Sequence, residues 1–88
     1  MMRRPGVPPP RLTPAQRETI ANAKKSYALM RTSASVGDIA PEMYLYAVLL
    51  DFLLFEEAVP ATTEMLKIQP DNEDIKALLD YVTFRASN

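Results

Sequence analysis

A chain of 88 residues holds one domain at most and only a thin core, since a domain this small buries about 60–65% of the surface its unfolded chain exposes. Apolar residues at 48% and charged residues at 24% exclude wholesale disorder, and the absence of both cysteine and histidine excludes disulfides, thiol nucleophiles, thiolate or imidazole metal sites and the usual near-neutral proton carrier. The net charge of −1 conceals a polar chain: seven basic residues and one acid through Arg31 leave +6, while three basic and ten acidic residues beyond it leave −7.

Five of the eight prolines fall in the first fourteen residues and, with Gly6, keep that segment from becoming helix or central strand. Residues 1–13 are therefore expected to form an extended arm, polyproline II over Pro8, Pro9 and Pro10, attached to a helical domain over 14–88. Its candidate contacts are Arg3, Arg4, Pro8, Pro9, Pro10 and Arg11. The PxxP spacing in PGVPPP fits an aromatic groove, although such spacings arise easily by chance and a plain arm is the simpler reading. The segment is rich in arginine and free of acids, as mitochondrial presequences are, yet its prolines preclude their amphipathic helix, and it lacks the apolar core of a secretory signal. Nothing marks an extracellular disulfide scaffold, so an intracellular setting, cytoplasm or organelle matrix, is favoured.

Thr13 can cap a helix, Pro14 suits its first position and Gln16 completes a Thr-x-x-Gln capping box. The first helix is predicted to run to about Arg31, with Ile20, Ala23, Tyr27 and Met30 on one face. Lys24, Lys25 and Arg31 lie toward its C-terminal end, where the helix dipole favours cations. Ser and Gly in TSASVGD make residues 32–38 a connection. Pro41, Pro60 and Pro70 then divide the remainder into helices at about 41–57, 60–69 and 71–85. Ile75, Leu78, Leu79 and Val82 share a face of the last. β-Branched residues are too sparse and alternation too weak for a sheet, so the fold class is all-α, a small hairpin array of about four helices.

Residues 44–55, YLYAVLLDFLLF, hold eleven apolar side chains and one aspartate. A membrane span needs about 20 predominantly apolar residues, and this run is bounded by Glu42 and by Glu56-Glu57. A helix apolar on all sides is buried on all sides, and three amphipathic neighbours cover only part of it. The rest is expected to lie against another chain, with Tyr44, Tyr46, Leu49, Phe52, Leu53 and Phe55 as candidate partner contacts. Asp51 is expected at the solvent edge, because an unpaired carboxylate in a core is costly. Glu56-Glu57 read as a solvated face, since adjacent helical residues diverge. Asp71-Asn72-Glu73-Asp74 open like a calcium loop but lack its glycine and distal glutamate, which leaves helix capping.

PEMYLYAVLLDFL (41–53) is echoed by PDNEDIKALLDYV (70–82) at an offset of 29 residues. Within FEEAVPATTEMLKIQPDNEDIKALLDYV, Phe55, Ala58, Leu66 and Pro70 stand as in a tetratricopeptide repeat, whose second helix and next first helix the segment resembles. The same block resembles a pentatricopeptide repeat. The resemblance implies stacked helical hairpins that bind protein. It departs from both families in its short offset, in Pro60 and in the missing turn glycine. The positions that read RNA bases in pentatricopeptide proteins match Ala47 and Lys76 here, and alanine cannot make that hydrogen bond.

No nucleophile–base pair, phosphate loop or metal cluster is present, so no catalysis, cofactor or metal is expected. The expected role is a structural or adaptor subunit of a protein assembly. The alternatives are a ribonucleoprotein component holding RNA phosphates through the basic arm, and a small repeat-like chaperone for an apolar segment.

Overall fold

The Thr13–Gln16 spacing acts as predicted. In the computed structural model, which describes residues 11–87, the Thr13 hydroxyl accepts from the Gln16 amide at 3.1 Å and the Gln16 side-chain oxygen accepts from the Thr13 amide at 2.9 Å. This closed box starts α1, Pro14–Ser33, which buries Ile20 and Ala23 and half-buries Tyr27 and Met30. The arm contacts Arg3, Arg4, Pro8, Pro9 and Pro10 lie outside the described residues. Arg11 is exposed, and Leu12 already packs against the core.

Three helices follow, α2 (Ala40–Asp51), α3 (Phe55–Ile68) and α4 (Glu73–Ser87), so the described residues are all-α. The boundary between the second and third helices is not where the prolines put it. The apolar run 44–55 breaks at residues 52–54, and α3 passes through Pro60. The break is a Schellman turn built without glycine. The Leu54 amide donates to the Leu49 carbonyl at 2.9 Å, and the Leu53 amide to the Leu50 carbonyl at 3.0 Å. Leu53 takes the left-handed conformation with φ 58°. Leu49 and Leu54, on either side of the turn, are both buried, which supplies the apolar contact that accompanies this motif. Pro60, the sixth residue of α3, is an exposed interior proline that supplies no amide to the helix ladder, and α3 continues through it.

Short polar side chains serve the starts of α2 and α4. Asp38 Oδ1 accepts from the Ala40 amide ahead of α2, and Asn72 Oδ1 accepts from the amides of Asp74 and Ile75, with Glu73 and Asp74 in the first turn of α4. The acidic run 71–74 is thus a capping segment. In α3 the buried Thr62 hydroxyl donates to the Ala58 carbonyl at 2.7 Å, which removes the cost of burying it.

Only helices consecutive in the chain lie side by side: α1 on α2, α2 on α3 and α3 on α4. One core nevertheless runs through all four, from Ile20 through Tyr46, Leu49, Leu54, Ala58 and Met65 to Ile75 and Val82. α2 and α3 each have a neighbour on two sides, whereas α1 and α4 are edges. Across the stack, Lys24 of α1 reaches Glu57 of α3 at 3.1 Å. Both side chains are half-exposed, so this pair contributes about 1 kcal/mol at most. The echoed blocks occupy unlike places: 49–53 ends α2 and forms its turn, while 78–82 lies within α4.

Candidate docking surface

The buried charge in the described chain is Glu42, 2% exposed in the first turn of α2. Arg31 Nη1 donates to both of its carboxylate oxygens, at 2.8 and 3.0 Å, and the Tyr27 hydroxyl donates to Oε2 at 3.1 Å. Arg31 also donates to the carbonyls of Asp38 (3.0 Å) and Ser35 (2.6 Å), so one guanidinium holds the end of α1, the connection and the start of α2. Burial, then the hydrogen bond and charge of Glu42, raise the Tyr27 hydroxyl above its ordinary 10.0. Every member of this cluster is satisfied by another. It is a clasp, with no atom presented to a substrate.

The candidate surface is the opposite side of the same helix. With Pro41, Glu42, Tyr46 and Leu49 turned inward, the 3.6-residue period turns Ala40, Met43, Tyr44 and Ala47 outward, and all four are exposed. This stripe carries no charge until Asp51, which is exposed at the end of the helix as expected. Immediately beyond the helix, the turn presents Leu53, 59% exposed. A leucine whose side chain faces water, on a backbone conformation that glycine adopts at no steric cost, is the least economical residue in the fold.

The six sequence candidates divide three ways. Tyr44 and Leu53 are exposed on this surface, and Phe52 and Phe55 are half-buried. Tyr46 and Leu49 are a correction: they lie in the chain's own core, because α2 is flanked by both α1 and α3 and its buried side already fills with 42, 46 and 49. Phe55 is engaged internally. Its ring meets Tyr81 edge-on at 6.1 Å, and the Arg85 guanidinium lies 4.4 Å from its centroid while Nη1 donates to the Tyr81 hydroxyl.

Sequence reading missed Met43, Tyr81 and Phe84. The last two were visible as aromatics lying off the Ile75–Leu78–Val82 stripe of α4, and both are exposed. Met43 was hidden because every position around it is apolar except Glu42, so no period marked an outward side.

Among the described residues, no helix is long and apolar enough to cross a membrane, and no cluster of three or more acidic residues could hold a metal ion. A scan against protein-family models finds no match, and searches of the curated proteins and of the solved structures find none either.

Proposed function

We propose that this chain is a non-catalytic structural or adaptor subunit that docks on another protein through the outer stripe of α2 and the turn that follows it. The observation that carries the reading is that stripe: Ala40, Met43, Tyr44 and Ala47 are exposed on α2 and Leu53 in the turn after it, opposite a side that buries Pro41, Glu42, Tyr46 and Leu49. Adjoining exposed apolar side chains are one mark of an interaction site. Tyr44 and Met43 combine apolar bulk with adaptability, which suits an interface.

The repeat-like reading rests on two positions. Ala58, fully buried in α3, permits the close approach such hairpins need. Pro70 stands in the turn between α3 and α4, the place the resemblance gives it.

The test is isolation of the tagged chain from its native source at low and high salt, beside the variants Met43→Lys, Ala47→Lys and Leu53→Gly. A stoichiometric protein partner that survives high salt and is lost from the three variants supports the proposal. Retention of that partner by all three removes the α2 stripe as the docking surface. Salt-sensitive RNA in place of protein assigns the chain to a ribonucleoprotein particle instead.

A further inference from the structure

A stack in which each helix touches only the next has two edges, and here they are unlike. The outer side of α1 presents Ala21, Lys25, Ala28 and Thr32, all exposed, with Leu29 72% exposed beside them. The outer side of α4 presents Glu73, Ala77, Asp80 and Phe84, also exposed, with Tyr81 at their flank. Phe84 is 64% exposed, which is a large aromatic surface for an edge helix.

We infer that these edges are complementary and that the chain associates head to tail, the α4 edge of one copy seated on the α1 edge of the next. Two observations, of size and of charge, agree in one register. The register itself follows from the helical period that both edges share. Read backward along α4, residues 84, 80, 77 and 73 are separated by four, three and four positions, as are 21, 25, 28 and 32 read forward along α1. Two helices packed antiparallel in that register bring Phe84 over Ala21, Asp80 beside Lys25, Ala77 against Ala28 and Glu73 beside Thr32. The sizes match: the bulky ring meets a methyl group, and two alanines meet where the backbones approach most closely. The charges match at Lys25, exposed at the centre of the α1 edge, which falls opposite the exposed carboxylate of Asp80.

Such a contact is heterologous. It uses a different surface on each partner, leaves one edge of each kind open and so extends into longer arrays unless the rotation closes a ring. A single helix pair lies at the small end of interface sizes, and the association belongs in the micromolar range, roughly 10–100 µM. The inference stands apart from the α2 stripe, which neither edge includes, so loss of a foreign partner and loss of self-association are separate results.

The experiment is sedimentation velocity on the full chain from about 5 to 500 µM, with circular dichroism to confirm that each variant is helical. The weight-average mass is expected to rise with concentration from the 9.9 kDa of one chain through successive multiples. Lys25→Glu and Asp80→Lys are each expected to weaken association at least tenfold, and Phe84→Ser likewise. Combining the two charge changes in one chain, or mixing the two single variants in equal amounts, is expected to restore it. A chain that stays monomeric throughout the range overturns the inference. So does an association that both single charge variants retain, which would assign self-contact to some other surface.

Discussion

Arg31 and Glu42 show how much one buried charge can demand of a small domain. Glu42 is all but inaccessible, while Arg31 remains 28% exposed and keeps contact with water. Removing the cation alone strands the carboxylate, so Arg31→Ala is expected to cost about 3–5 kcal/mol in a denaturant titration. Replacing both residues by methionine removes the desolvation penalty with the attraction, and the double variant is expected to be much closer to the parent in stability. Tyr27 extends the cluster into pH dependence. Its folded hydroxyl titrates above the unfolded value of 10.0, so its stabilising contribution is complete below pH 10 and is lost as pH rises through the raised folded value. Unfolding midpoints between pH 8 and 11 should fall for the parent chain. Tyr27→Phe should begin about 1–2 kcal/mol lower at neutral pH and fall less steeply.

At the scale of elements, the turn between α2 and α3 is the most informative connection. Leu53 bears the steric cost of a left-handed backbone, about 1–2 kcal/mol, and recovers little of it by burial. Leu53→Gly is expected to stabilise the chain by about 1 kcal/mol after the extra entropy of glycine is counted, seen as a rise in Tm of about 4–8 °C. The same variant should lose the partner, a pairing of effects that a purely structural leucine would not show. This turn is also where sequence reading failed. The start of α1 was legible because Thr13, Pro14 and Gln16 each supply a specific hydrogen bond or dihedral angle. The connection after α1 was marked by its Ser and Gly, and the inner side of α4 by its period. Nothing local marks a break within YLYAVLLDFLLF. Its position is set by Leu49 and Leu54 meeting in a core that α1 and α3 complete, and Pro60, the louder local signal, lies inside α3 without ending it. The outer stripe of α2 was half legible for the same reason: Tyr44 and Leu53 were named beside Tyr46 and Leu49, because a run with no polar side offers no way to tell inner from outer.

For the whole molecule, sequential packing sets how stability is distributed. α2 and α3 are each supported on two sides, whereas α1 and α4 can separate from the stack without disturbing the helix two places away. Opening is therefore expected to begin at the edges, and amide exchange in mid-helix positions of α2 and α3 should be at least tenfold slower than in α1 and α4. The Lys24–Glu57 pair opposes such opening of α1 only weakly, and less at high salt. If copies associate head to tail, the edges become interior, and the difference in exchange between edge and central helices should shrink as concentration rises.

The tyrosines described above are distributed in a way that lends the molecule its own set of reporters. The chain contains no tryptophan, and its four tyrosines lie one in the α1 clasp, one on the outer stripe of α2, one in the core and one beside Arg85 on α4. Fluorine placed on those four rings would resolve clasp, outer stripe, core and stack edge as separate resonances, so that loss of an ion pair, arrival of the proposed partner, unfolding and self-association could be followed in one spectrum without altering the backbone.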